Sequence, residues 1–240
     1  MKKAYLNWSS GKDAALALFK IQQSKVYNID KLVTTVNQSF DRVSMHGLRT
    51  ELLEEQAKAL GLPLQTILLS KDVSMEIYSS KMKIAMEDLI NKGYAYGVFG
   101  DVFLKDLRAY REDKLKEVGI KGVFPLWGKN TRILLEEFLA HGFKAITVCV
   151  NAKLLDSSFC GRIIDKEFIA DLPDGVDPCG ENGEFHTFVY DGPNFKKPVD
   201  FTIGEKVLRN YKSSKNDDDC YKKNEVSWDT SFWYCDLLLK

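Results

Sequence analysis

Asn7-Trp8-Ser9-Ser10-Gly11-Lys12-Asp13-Ala14 sets a glycine-bearing turn between a short apolar run and a segment of helical periodicity. Such a turn exposes backbone N–H groups at a helix N-terminus, which attracts phosphate, and Lys12 adds a full positive charge. It is not a Walker A loop, because Asp13 follows Lys12 where Ser or Thr is needed, and position 6 is Leu rather than Gly. The ordinary alternative is a helix start capped by serine or aspartate. Far downstream, Gly180-Glu181-Asn182-Gly183-Glu184 puts two carboxylates in a loop whose glycines permit close backbone approach to a ligand. Two such groups suit a divalent cation, an ammonium ion or proton transfer, against plain loop solubility. Arg108 and Arg111 are three apart and share a helix face. They could grip a carboxylate or phosphate bidentately, although Glu112, Lys114 and Glu117 make a solvated face the rival reading. His46 stands in a loop before a helix, where it either reaches a substrate or caps the helix.

These residues need a frame. Residues 4–8, 32–36, 64–69, 94–99, 123–127 and 145–150 read as strands, rich in β-branched and aromatic residues. Between them, residues 14–22, 48–60, 74–91, 106–118 and 131–140 carry apolar residues at helical spacing. Gly61, Gly93, Gly119 and Gly142 stop four of these helices. Strands alternating with helices imply βαβ units and a mainly parallel α/β sheet with helices on both faces. Gly100-Asp101 then follows the fourth strand, and in open parallel sheets ligands sit beyond the carboxyl ends of the strands. Asp101 is therefore placed to hold Mg²⁺ or orient a substrate, unless it is an ordinary strand-end turn residue.

Past residue 150 the pattern changes. Residues 165–172 read as a short helix, 173–183 as a Pro/Gly-rich loop, and 185–190, 199–207 and 232–239 as strands. The polar stretch 212–224 has three consecutive aspartates and reads as a flexible loop. The expected boundaries are a nucleotide domain at 1–125 and a smaller α+β domain at 126–240.

The 240 residues carry 34 basic and 34 acidic side chains, with 45% hydrophobic and 28% charged residues. This is an ordinary globular composition. Charge balance disfavours a dedicated nucleic-acid binder. Cys149, Cys160, Cys179, Cys220 and Cys235 are odd in number and show neither CxxC nor zinc spacing. Reduced thiols in a cytoplasmic protein are the simplest account. The first residues do not form a secretory signal, and no apolar run approaches a membrane span.

Ser-x-Gly-Lys-Asp after an N-terminal strand resembles the PP-loop of the ATP pyrophosphatase (adenine nucleotide alpha-hydrolase) superfamily. His46-Gly47-Leu48-Arg49, Gly100-Asp101, Leu107-Arg108-Ala109-Tyr110-Arg111-Glu112 and Gly180-Glu181-Asn182-Gly183-Glu184-Phe185-His186-Thr187 resemble, in order, stretches of the diphthine–ammonia ligase family. The resemblance covers residues 1 to about 195. It implies a Rossmann-like nucleotide domain, a smaller C-terminal domain and an active site between them. The implied reaction uses ATP to adenylate a carboxylate, and ammonia then forms the amide with release of AMP and pyrophosphate. For an archaeal or eukaryotic chain the acceptor is diphthine on elongation factor two, and otherwise an unknown acid.

Carried onto this sequence, the resemblance makes Lys12 the cation that meets the leaving pyrophosphate. Ser9, Ser10, Gly11 and Gly100 line the nucleotide, and Asp13 and Asp101 hold Mg²⁺, unless Asp13 only interacts favourably with the first helical turn. Asp101, Glu181 and Glu184 join Lys12 as catalytic residues, while Arg108, Arg111, His46 and Thr187 hold the substrate. Two departures stand out. Ala14 replaces the usual Ser after Lys-Asp, and Asn182 and His186 replace a Gly and a Glu. A PP-loop tRNA-modifying enzyme and a non-catalytic nucleotide-binding module are the competing readings, and a homo-oligomer is compatible with all of them.

Overall fold

The computed structural model describes residues 1–38, 41–43, 47–70, 74–211 and 230–240. His46 and the polar stretch 212–224 lie outside the described residues. The elements run β1 (Lys2–Asn7), α1 (Lys12–Ser24), β2 (Tyr27–Asn37), β3 (Arg42–Val43), α2 (Thr50–Leu60), β4 (Leu64–Leu69), α3 (Met75–Asn91), β5 (Tyr96–Val98), α4 (Lys105–Glu117) and β6 (Lys121–Val123). They continue with α5 (Thr131–Ala140), β7 (Lys144–Asn151), a 3-10 turn (Ser157–Phe159), α6 (Lys166–Asp171), β8 (Phe185–Asp191), β9 (Phe201–Tyr211) and β10 (Thr230–Leu239).

The first sheet runs β4-β2-β1-β5-β6, all parallel, with the short β3 antiparallel on β2. Side chains alternate along each strand and so divide between two cores. Ala4, Leu6, Leu32 and Val36 pack with α1 and α2, through Leu16, Leu18, Leu52 and Leu53. Tyr5, Val33, Ile67 and Leu69 pack on the other side with α3 and α4, through Ala85, Met86, Leu89 and Leu115. Helices therefore cover both faces, which is why these strands are apolar on both sides. The second sheet is antiparallel, in the order β8-β7-β10-β9. Its core, with Phe138, Phe168, Phe185 and Phe188, is continuous with that of α1 and α2.

Helix ends follow local chemistry. Ser74, Asn130 and Asp165 each accept a hydrogen bond from the third residue after them, at the starts of α3, α5 and α6. Gly61 ends α2 at φ +70°, and the N–H of Leu62 returns to the carbonyl of Ala57 at 3.1 Å. One strand expectation is corrected. Residues 123–127 are not a strand: β6 ends at Val123, and Trp127 N–H closes a turn on the carbonyl of Phe124 at 3.2 Å. Pro125 has no N–H to continue a ladder. The last two strands are longer than expected because they pair with each other from Phe201 to Tyr211. No described helix is long and apolar enough to cross a membrane.

Candidate active site

The central strands are β1 and β5. The chain leaves β1 toward α1 on one face and leaves β5 toward α4 on the other. That reversal is a topological switch point, and the crevice outside it is where open α/β sheets bind ligands. Residues 8–11 and 99–104 are the two loops that form its walls.

The first loop is held from all sides. Trp8 is buried, its N–H donates to Val33 and its indole to Gln56 Oε1 at 2.8 Å. Thr34 Oγ1 donates to the Trp8 carbonyl at 2.7 Å. Ser10 is fully buried at φ +69°, a left-handed conformation that a serine rarely adopts. Its hydroxyl turns back onto the Ser9 carbonyl. Its own carbonyl accepts from Val189 N–H and Gln56 Nε2, both at 3.0 Å. Gly11 precedes α1 without a capping side chain, and Lys12 N–H donates to Thr187 Oγ1 at 3.0 Å. Gly100 lies against the same helix start. A Cβ there would stand 2.8 Å from the Asp13 carbonyl carbon and 2.9 Å from Ala14 N.

Lys12 is 3% exposed. Its ammonium donates to both Asp13 oxygens, at 3.0 and 2.8 Å, and to the Cys179 carbonyl. It also lies 5.4 Å from the centre of the Phe185 ring. Burial opposes the charge, but Asp13, Cys179 and Glu181 outweigh it and hold the ammonium above its ordinary value. A permanently charged lysine thus sits at the helix start, sharing its charge with one carboxylate.

The loop with Glu181 and Glu184 folds back onto this place. Asp177 Oδ2 accepts from the N–H groups of Cys179 and Glu181, at 3.1 and 3.0 Å. Glu184 is 2% exposed and accepts from Asp177 N–H, Asn182 N–H and Asn182 Nδ2 at 2.9–3.1 Å. Every one of those donors belongs to its own loop, so Glu184 braces the loop. Glu181 instead reaches across the crevice and accepts from Val102 N–H at 2.8 Å. Desolvation pushes its carboxyl up to about 7; the Val102 bond works against this, Asp13 and Asp101 with it, and Lys12 against it.

Asp101 meets Arg111 at 2.9 Å, and Arg111 lies over the Phe99 ring. Burial raises the Asp101 carboxyl, Arg111 pulls it back, and Asp13 is close enough to raise it further. Arg108 takes a separate path: it pairs with Glu112 at 2.9 Å and stacks 4.6 and 4.5 Å from the Phe124 and Trp127 rings. The two arginines share a helix but do not converge. Thr187 accepts from the start of α1. His186, beside it, is driven down to about 4 by burial and by Lys12, so its imidazole is neutral.

Lys12, Asp13, Gly100, Asp101 and Glu181 therefore meet at the switch point, with Ser9 to Gly11 behind them. Glu184 and Thr187 support this group from the second sheet. Sequence reasoning missed Gln56, although it falls on the inward stripe Leu52, Leu53, Ala57, Leu60. It also missed Asp236 of β10, which accepts from Arg49 at 3.0 and 2.7 Å and from Arg42 at 3.0 Å. The last strand thereby clamps the Gly47-Leu48-Arg49 segment.

A parallel sheet with a glycine-bearing loop and a buried lysine at its switch point defines an α/β protein whose crevice lies outside β1 and β5. The chain belongs to the diphthamide synthase family: the model of the diphthamide synthase N-terminal domain matches residues 1–122, and that of the C-terminal domain matches residues 130–217. A diphthine–ammonia ligase of Homo sapiens is 29% identical over 167 residues, covering 63% of this chain and 62% of that protein. One of Mus musculus is 34% identical over 118 residues, covering 47% and 44%. One of Danio rerio is 30% identical over 167 residues, covering 63% and 66%. The chain thus spans less than two thirds of each of these relatives. A solved structure titled as a predicted subunit of tRNA methyltransferase from Methanocaldococcus jannaschii aligns over 61% of this chain and 80% of that one. Its 19% identity and TM-score of 0.43 are too low to carry a functional argument.

Proposed function

We propose that this chain is an ATP-dependent amide ligase. Residues 1–125 hold the nucleotide and 126–240 complete the acceptor side. The observation that carries the reading is the meeting of Lys12 and Glu181 at one switch point, from segments 169 positions apart in the sequence.

The donor set suits a triphosphate: the α1 N-terminus, the Ser9 hydroxyl and a buried ammonium. In the first step, a carboxylate oxygen of the acceptor attacks the α-phosphorus and pyrophosphate leaves with the bonding electrons. Lys12 exchanges part of its contact with Asp13 for the leaving oxygens, where charge develops. In the second step, ammonia attacks the acyl carbon and AMP leaves with its oxygen. Glu181, poised near 7, takes the proton that the new C–N bond releases. The acceptor we favour is diphthine, the acid named in the relatives, and the second substrate is ammonia.

No three His, Cys, Asp or Glu side chains form a ready metal cage among the described residues. Mg²⁺ is commonly held by one or two carboxylates plus phosphate oxygens, and Asp13 and Asp101 fit that part. When bound, the ion would neutralise charge on the phosphates.

The test is to supply ATP, ammonium and diphthine-bearing elongation factor two, omitting each in turn. AMP, pyrophosphate and amide should appear together and only in the full mixture. ADP as the product would overturn the adenylation. Nucleotide binding without any turnover across acids would support the non-catalytic reading instead.

A further inference from the structure

We infer that Gln56 is a positioning residue that sets the phosphate loop and ties it to β8. The inference rests on the loop being the nucleotide site. Gln56 lies on α2, is fully buried, and bonds two separate segments, the 8–11 loop and β8. Its Oε1 accepts from the Trp8 indole at 2.8 Å, and its Nε2 donates to the carbonyls of Ser10 at 3.0 Å and Val189 at 2.6 Å. Both amide hydrogens and one oxygen lone pair are thereby used.

The orientation is determined by the partners. Turning the amide over would set an N–H₂ against the indole N–H and an oxygen against two carbonyls, so only one arrangement is satisfied. A buried amide with three hydrogen-bonded partners holds those partners at fixed separations. The partner that matters is Ser10. Its left-handed φ of +69° is disfavoured for any side chain with a Cβ. Its carbonyl is held in that state by Gln56 and by Val189 N–H. The orientation of Ser10 decides where the next amides, those of Gly11 and Lys12, point. Val189 lies two residues after Thr187, the acceptor of Lys12 N–H. Gln56 therefore joins the loop to the strand that carries the second half of the site.

Gln56→Met fills the volume and removes all three bonds. The expected result is an ATP Kd raised by about tenfold or more, with the KM for the acid and for ammonium within about twofold of wild type. Amide hydrogen exchange should rise at residues 10–12 and 187–189 and stay unchanged in α3. Adding Ser10→Gly should recover roughly fivefold of the lost ATP affinity, because glycine takes positive φ without a Cβ penalty. A role in packing alone would not produce that recovery. If Gln56→Met fails to fold, Gln56→Glu is the second variant. It keeps an acceptor for Trp8 but, neutral in this buried place, offers one hydrogen at most to the two carbonyls, so smaller shifts in the same direction are expected.

Unchanged exchange at residues 10–12, or an ATP affinity that falls no further than those for the acid and ammonium, would overturn the positioning role. Affinity is measured by calorimetry with ATP alone, so it is independent of turnover. A wild-type chain that binds ATP but forms no amide would defeat the ligase reading while leaving the Gln56 comparison intact. One that binds no ATP would defeat both, since there would be no site to position.

Discussion

The backbone N–H of Lys12 donates to the hydroxyl of Thr187 at 3.0 Å, across 175 positions of sequence. One residue begins the first helix of the parallel sheet, and the other lies in the middle of an antiparallel strand. The first N–H groups of a helix lack partners within it, and here the second sheet supplies one. The two sheets are therefore joined at the atoms around the loop that precedes α1. Thr187→Val keeps the shape and removes the acceptor. It should cost about 1–3 kcal/mol of stability, the range for leaving a buried donor unpaired, and should weaken ATP binding. A denaturant melt and an ATP titration check both. An ATP affinity equal to wild type would detach the seam from the site.

Gly100→Ala tests the other wall. Its Cβ would press on backbone atoms of Asp13 and Ala14 rather than on a yielding side chain. The helix start must shift, at about 1–3 kcal/mol as in other overpacked positions. Thermal unfolding should occur at a lower temperature, and the ATP KM should rise.

Glu181 gives a pH signature. Its carboxyl is raised from 4.5 to about 7, so the fold favours the protonated form. Wild-type stability should fall as pH rises from about 4.5 through 7, and Glu181→Gln should remove that slope. Activity runs the other way, because a base must be ionised. The acid limb of kcat/KM should have an apparent pKa near 7 and vanish in the variant. A limb that persists unchanged in Glu181→Gln would assign it to another group.

Asp236 has the opposite sign. Hydrogen bonding from Arg49 lowers its carboxyl below 3.8, burial opposes this, and Arg42 adds to it. Its contribution is present above 3.8 and is lost as pH falls through the lowered value. Asp236→Asn should destabilise by about 1 kcal/mol at neutral pH, discounted for partial exposure. The difference from wild type should close in strong acid.

Much of the frame was legible because its signals are local. The helix at Thr131–Ala140 follows from its apolar spacing and from Gly142 after it, and the alternation of strands and helices gives the parallel sheet. The loop at Ser9 to Asp13 is equally local. What escaped depends on partners far away in sequence. Glu181 and Glu184 look alike in a glycine-rich loop, yet one faces Val102 across the crevice and the other faces its own loop. Arg108 and Arg111 share a helical face, but aromatic stacking draws one to Trp127 and an ion pair draws the other to Asp101. Gln56 sits among leucines, and its polarity makes sense only once Trp8, Ser10 and Val189 surround it. The antiparallel tail looked like a mere closing strand until Asp236 met two arginines.

In the proposed reaction Lys12 and Glu181 serve successive steps at one site. The direct measurement is a single-turnover burst of pyrophosphate, followed with amide formation, in wild type, Lys12→Ala and Glu181→Gln. Lys12→Ala should lose the burst, its rate falling by about 10²–10³, the effect of removing one such donor. Glu181→Gln should release close to one pyrophosphate per site and then form amide slowly, leaving the acyl adenylate to accumulate. Equal loss of the burst in both variants, or amide formation at the wild-type rate in Glu181→Gln, would contradict the division of labour.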